Sequence, residues 1–227
     1  VACKILESLG IQVMAYTKSI GPVSIPEQDY DYSVITDNTL YMPNNQYAEK
    51  ASAYLEECIR SQDSSGGIIE CRIKNVPAGL GDTVFDKLDA TLAHAIMSIG
   101  AVKAVEIGDG INVTRLTGSE DNDGFVQKDG IISKTSNHAG GIMGGMSDGS
   151  DIILRAHIKP TPSISQSQST VTNTGENLEL EIKGRHDPVI VPRAVVVVEA
   201  MAALTITDAL FNNMSARMDR IHEFYQR

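Results

Sequence analysis

A chain of 227 residues, 42% hydrophobic and 21% charged, holds enough apolar material for one large domain or two small ones and does not have a disordered composition. Its formal net charge of -10 disfavours nucleic acid and anionic membrane as general partners, while leaving room for a local basic pocket that takes an anion. Cys3, Cys58 and Cys71 are an odd set without CxxC spacing, which points to reduced thiols in a cytoplasmic protein and away from a zinc site or a disulfide framework.

Val1 to Leu9 reads as the end of an amphipathic helix, with Gly10 just past it. There is no opening Met, charged n-region or apolar h-region, so no signal peptide is expected. A helix met in mid-pattern leads us to expect a chain whose beginning is missing. Ile11 to Ile20 alternates as a strand before the Gly21-Pro22 turn, and Asp29 to Asn45 is turn-rich. Gln46 to Arg60 carries an apolar helical stripe of Ala48, Ala51, Leu55, Cys58 and Ile59. After the SQDSSGG turn, Ile68 to Lys74 alternates as a half-buried strand with Glu70, Arg72 and Lys74 on the polar side.

Asp82 is placed to cap a helix from about Thr83 to Ile99. Val102 to Ile107 reads as a strand closed by Gly108-Asp109-Gly110, and Val113 to Ser133 gives no clear pattern. A glycine-rich stretch, NHAGGIMGGMSDG, fills Asn137 to Gly149, and Asp151 to Ile158 is a strand. Lys159-Pro160-Thr161-Pro162-Ser163 opens a Ser/Thr-rich loop, Glu176 to Lys183 is a strand, and Ala194 to Met218 a long helix. The Ala194 to Leu204 run is interrupted by Glu199 and is too short to span a bilayer. Helices do not alternate regularly with strands, so we expect an α+β fold with mainly antiparallel strands.

Three segments are candidates for chemistry. Glycine pairs between Gly140 and Gly149 let backbone N–H groups approach a phosphate or a ring, although the stretch is neither a P-loop nor a dinucleotide fingerprint and glycine pairs are commonly plain turns. Lys159 to Ser163 joins a cation to hydroxyl donors on a proline-stiffened loop, which suits a phosphate or the polar edge of a flavin, or is an ordinary surface loop. In Gly184-Arg185-His186-Asp187-Pro188, Arg185 can hold a carboxylate or phosphate and Asp187 can act as a base or proton relay; the alternative is a turn with a local ion pair. His94 and His157 read as structural, His138 is ambiguous, His222 lies in a polar tail, and no metal-ligand spacing is present.

In order along the chain, SQDSSGGIIECRIKNVPAGLGDTVFDKLDATLAHAIMSIGAVKAVEIGDG, SNHAGGIMGGMSDG, HIKPTPSI and KGRHDP followed by PRAVVVVEAM resemble the chorismate synthase family, covering Val1 to about Leu210. The resemblance implies a sandwich in which helices pack between antiparallel sheets, here as a single domain over 1–227 without its N-terminal segment. It implies a homotetrameric, cytoplasmic flavoprotein with FMN and NADP as associated cofactor terms. The implied reaction is anti-1,4-elimination of phosphate from 5-enolpyruvylshikimate 3-phosphate to give chorismate, in the shikimate pathway of aromatic amino acid biosynthesis. That lyase requires reduced FMN (FMNH2) without net redox change.

By motif, Gly100-Ala101 matches a flavin-binding pair where the family often has Asn in place of Gly100. Gly144 matches a flavin-contacting glycine. Lys159, Pro160, Thr161, Pro162 and Ser163 match the flavin-binding KPTSS-like loop, Arg185 an arginine at flavin and substrate, and Asp187 a catalytic aspartate near the flavin's N5 edge. Asn137, His138 and Ala139 belong to the SNHAGG-like block without an assigned role. The family's GESHG-like motif, its arginine-rich segment and the stretch holding its second catalytic histidine are absent, so these 227 residues alone are expected to be inactive. A non-catalytic flavin- or phosphate-binding module on the same scaffold, or a purely structural chain, remains the alternative.

Overall fold

The computed structural model describes residues 1–128, 130–184 and 186–226. Helix α1, Ala2–Ser8, ends as its glycine demands: Gly10 takes φ 77°, and its N–H donates to Glu7 O at 2.9 Å while Ile11 N–H donates to Leu6 O at 3.0 Å. Those two bonds satisfy carbonyls that the helix end would leave open. Strand β1, Gln12–Ile20, turns tightly into β2, Val23–Ser24. Helix α2, Asn45–Arg60, starts on Asn44, whose side chain accepts from the N–H groups of Gln46 and Tyr47. Ala48, Ala51, Leu55 and Cys58 are buried as their spacing predicts, but Ile59 is exposed, one position past the edge of the stripe.

Strand β3, Gly67–Lys74, leads to helix α3, Leu88–Met97, which begins five residues later than Asp82 suggests. Asp82 accepts from the adjacent Thr83 N–H and so caps a turn, and Val84 and Phe85 stay exposed. The helix's first N–H, that of Leu88, donates instead to Gly145 O at 2.7 Å, a partner from far along the chain. Then follow β4, Val102–Ile107, the single turn α4, Gly118–Asp121, and a hairpin of β5, Phe125–Lys128, with β6, Ile131–Lys134. The glycine-rich stretch forms a second, short hairpin of β7, Ile142–Met143, and β8, Met146–Ser147. After β9, Ile152–Ile158, come the antiparallel pair β10, Gln168–Val171, and β11, Asn177–Leu180. Helices α5, Val191–Met214, and α6, Met218–Tyr225, close the chain.

One sheet has five strands in the order β2–β1–β3–β9–β4, and the other strand pairs are two-stranded. The content is therefore α+β with antiparallel pairs, as expected from the sequence. Two compact units emerge: 1–15 with 70–156 and 196–227, and 16–69 with 157–195. In the second, Ile20, Ile25, Leu40, Met42, Ala48, Ala51 and Leu55 form the core, and Tyr30, Tyr47, Tyr54 and Val189 pack against it. Fully burying a side chain of this size is worth roughly 1.5–3 kcal/mol, so a handful of them dominates the unit's stability.

Helix α5 corrects the reading of the Ala194 to Leu204 run. At 24 residues it is, by length and composition, long and apolar enough to cross a bilayer. It outgrows the run because Thr205 and Thr207 return their hydroxyls to the carbonyls of Met201 and Ala203, which lets them sit in an apolar helix. In the first unit its Val198, Ala202, Ala203 and Ile206 are buried, as a core helix requires. Glu199 accepts from Ala15 N–H at 3.1 Å, and burial raises its carboxyl above the ordinary range against that hydrogen bond.

Strand β3 departs from its expected half-exposure in the same unit. Glu70 is only 1% exposed, because Arg155 Nε, from β9, donates to it at 2.7 Å and Arg72 Nε approaches at 3.5 Å. Arg155 Nη1 also donates to Gly108 O at 2.6 Å. Cys71, next in the strand, is fully buried, and burial followed by the charges of Glu199 and Glu70 pushes its thiol far up, which makes it an inert core residue.

Candidate functional site

Among the residues expected from the sequence, the cofactor-binding candidates Gly100, Ala101 and Gly144 fall in the first unit, and Lys159 to Ser163 and the catalytic candidate Asp187 in the second. Arg185 lies outside the described residues.

In the first unit, Gly100-Ala101 joins α3 to β4, and the left-handed residue is the alanine, at φ 71°. A Cβ on Gly100 would meet nothing within 4 Å, so neither strain nor packing asks for glycine there. Ala101 thus holds a conformation that disfavours side chains by roughly 1–2 kcal/mol. Ala101→Gly is expected to stabilise the chain by about 0.5–1 kcal/mol, after the added freedom of the unfolded state is subtracted. A urea midpoint that falls instead of rising would show that the alanine methyl packs usefully.

Gly144 sits at the tip of the β7–β8 hairpin with φ 59° and open space around it. The hairpin is tied from both sides. Ser147 Oγ donates to Pro77 O at 2.6 Å and accepts from Leu80 N–H at 2.9 Å, while Gly145 O accepts from Leu88. At its base, Asn137 Oδ1 accepts from Gly141 N–H and Asn137 Nδ2 donates to Asp151 O.

Beside that base lies an ionic knot that sequence reading did not single out. Lys134 Nζ contacts Asp148 at 2.5 Å and Asp123 at 3.4 Å, with side-chain exposures of 5%, 10% and 3% respectively. Asp123 also accepts from Ser136 Oγ and from the N–H groups of His138 and Ala139. Burial pushes the Asp123 carboxyl up, but these hydrogen bonds and the Lys134 charge outweigh it and hold the group at about 2. The signal in sequence was present in principle, since Asp121-Asn122-Asp123-Gly124 looks like a solvated loop tip but carries a carboxylate facing the SNHAGG block.

In the second unit, the Lys159–Ser163 loop and the Asp187 turn meet through a segment that carried no role in the sequence reading. Ser64 Oγ donates to Thr161 O at 2.7 Å, Ser65 N–H donates to Pro188 O at 2.7 Å, and Ser65 bridges Val189. A Cβ on Gly66 would lie 2.4 Å from Ile158 O, so that backbone runs directly against the loop's entry. Next to these segments is a cavity of about 140 Å³ whose lining includes Asp63, Ile164, Ser165, His186 and Pro188 but no residue of the Lys159–Ser163 loop. It is smaller than ordinary cofactor pockets, which run from roughly 300 Å³ upward, and among the described residues its lining carries the Asp63 carboxylate and no lysine or arginine.

Thr161 Oγ1 is buried and, among the described residues, has no hydrogen-bond partner. Such a hydroxyl keeps a donor and an acceptor open to a water or a ligand, as does Thr17 Oγ1 in the same unit. Asp187 Oδ2 accepts from Arg193 Nη1 at 2.6 Å, and Arg193 is largely exposed. Such a surface pair is worth about 0–1 kcal/mol, so the carboxylate can be given up to a ligand. Lys159 is exposed and, among the described residues, has no carboxylate partner. A larger cavity of about 510 Å³ in the first unit is lined by Asp82, Asp86, Asp208, Asn212 and Asn213 among others, and its carboxylates suit no anion. Among the described residues no group of three or more His, Cys, Asp or Glu side chains is arranged to hold a metal ion.

These features define an α+β protein with a glycine hairpin in one unit and, in the other, a lysine-bearing loop with an unsatisfied hydroxyl. Residues 1–211 match the family model described as chorismate synthase. A chorismate synthase of Agathobacter rectalis is 60% identical over the whole chain, and that of Archaeoglobus fulgidus is 50% identical over 91% of it. The chain belongs to the chorismate synthase family. It spans 62% of the length of the Agathobacter relative and 58% of the Archaeoglobus one. A solved structure titled as a crystal structure of chorismate synthase matches 99% of this chain and 64% of its own, with a TM-score of 0.79 at 28% identity.

Proposed function

We propose that this chain supplies the flavin-binding side of a chorismate synthase, acting on 5-enolpyruvylshikimate 3-phosphate with reduced FMN in a cytoplasmic homotetramer. The observation that carries the reading is the buried hydroxyl of Thr161, without a partner among the described residues, inside the loop that resembles the family's KPTSS-like flavin-binding motif. The donor set fits: a cation at Lys159, hydroxyls at Thr161 and Ser163, and a loop stiffened by Pro160 and Pro162. Gly144 offers backbone at an open hairpin tip, and Ala101 an unusual backbone conformation. Reduced flavin would supply electron density to the substrate as phosphate leaves and recover it as a proton is lost.

The chain's own residues bind and orient. Lys159 opposes ligand charge, Thr161 donates or accepts at a fixed point, and Asp187, released from Arg193, accepts a proton at its carboxylate. Arg185 is proposed as an anion-holding partner by motif alone. None of the five histidines matches a catalytic histidine of the family, so these 227 residues by themselves are proposed to bind flavin without turnover.

Thr161→Val tests this with two readouts of opposite sign. Removing a buried hydroxyl that bonds nothing leaves stability unchanged or slightly higher. If the hydroxyl meets the flavin, FMN affinity, measured by quenching of its fluorescence, falls about tenfold, the loss of a hydrogen bond of roughly 1–1.5 kcal/mol. Unchanged FMN affinity in Thr161→Val, or no quenching by the parent chain, would favour the structural reading.

A further inference from the structure

We propose that His138 is a positioning residue: paired with Asp109, it latches the Asn137–Gly141 turn onto the Gly108–Gly110 turn and so sets the glycine hairpin that presents Gly144. The consequence for flavin rests on the function proposed above; the latch itself does not.

The two turns are in direct backbone contact. A Cβ on Gly108 would lie 2.0 Å from His138 O, and one on Gly140 would lie 2.3 Å from Gly108 N. Asp109 and His138 then bond each other twice: Asp109 N–H donates to His138 O at 2.9 Å, and His138 Nδ1 lies 2.7 Å from Asp109 Oδ2. Three residues beyond His138, Gly141 feeds straight into β7, and Asp148 N–H, just past β8, returns to Gly141 O at 3.0 Å. With backbones this close, a shift of the 137–141 turn has no slack to absorb it before the hairpin.

Of the ties at the hairpin's base, the Asp109–His138 contact is the one that titrates near neutral pH. The His138 side chain is 31% exposed and so exchanges its proton with solvent. The hydrogen bond its Nδ1–H donates to Asp109 raises its pKa above the ordinary 6.5; slight burial opposes this, and the charges of Asp109, Asp123 and Asp121 add to it. Two cations lie in this region and both are engaged, Lys134 by Asp123 and Asp148, and Arg155 by Glu70 and Gly108 O. A histidine whose folded pKa is raised contributes its full stabilisation below about pH 6.5 and loses it as pH climbs through the folded value. The latch is therefore closed in mild acid and loosens in mild base.

Two measurements on this polypeptide test the proposal. In an NMR titration of the flavin-free protein, the Gly144 amide should move along the same curve as the His138 ring, and in His138→Gln it should not. The wild-type titration needs no variant, so the test survives a misfolded one. A Gly144 amide indifferent to His138 overturns the latch. For flavin, FMN dissociation constants are compared between about pH 6 and about pH 8.5; because the FMN phosphate titrates identically with both proteins, their ratio isolates the latch. Wild type should lose affinity several-fold more than His138→Gln as pH rises. Equal losses overturn the link from latch to flavin, whereas a Gly144 response with no FMN quenching by either protein leaves the latch standing and sinks the flavin reading.

Discussion

Gly108→Ala is expected to lower stability by roughly 2–5 kcal/mol, a large share of the 5–15 kcal/mol that holds an ordinary domain together. Two effects add. Gly108 has φ 58°, a left-handed conformation that alanine adopts at about 1–2 kcal/mol. Its new methyl would also sit 2.0 Å from His138 O and 2.6 Å from Gly140 N, both backbone atoms that no rotamer change can move. Overpacking of that kind adds typically 1–3 kcal/mol. Gly144→Ala is the control: φ 59° is nearly the same, but nothing lies within 4 Å, so only the conformational part, about 1–2 kcal/mol, is expected. Urea midpoints of the two variants measure the difference. Equal losses would mean that the 137–141 turn moves aside freely, and the close contact of the two turns would then carry no energy.

Lys134→Met is expected to cost about 3–5 kcal/mol at neutral pH, because it strands two nearly buried carboxylates, Asp123 and Asp148, without their cation. The methionine fills the lysine stem's volume, so packing loss is small and the deficit reports charge. In the parent chain, both aspartates are held below their ordinary value of 3.8 despite burial, Asp123 at about 2. A carboxylate with a depressed folded pKa contributes stability that is present above its unfolded pKa and lost as pH falls through the folded value. The parent chain therefore loses stability between about pH 4 and about pH 2. Without Lys134 the same carboxyls protonate more readily, so the gap between variant and parent narrows as pH drops toward 4. Chemical denaturation across that range reads it. A deficit under about 1 kcal/mol at neutral pH, or one independent of pH, would show that the knot is hydrated and energetically minor.

These two sites mark the division between what was legible in the sequence and what was not. The end of α1 was legible because Gly10, three residues beyond its bonding partner Glu7, completes the motif within one turn of chain. The body of α2 was legible from its apolar stripe over Gln46 to Arg60, also a local pattern. The start of α3 was misread because Asp82 is a good local cap, yet the helix takes its terminal partner from Gly145, across a long stretch of sequence. Glu70 looked half-exposed because alternation says which residues share a face and not what covers it; Arg155, 85 residues away, covers it. Ser64 and Ser65, read only as part of a turn, join the Lys159–Ser163 loop to the Asp187 turn.

The sequence by itself determined the family, the α+β content and the motif positions from Gly100 to Asp187, because those depend on residue order and short-range periodicity. Only the tertiary structure decided that Lys134 is a buried counter-ion, that Ala101 rather than Gly100 is left-handed, that Thr161 keeps an unpaired hydroxyl and that His138 answers to Asp109. All but the Ala101 backbone turn on whether a polar group finds a partner once water is gone. The partner of a buried charge is set by which distant segments fold together, and a pattern a few residues long holds no information about that.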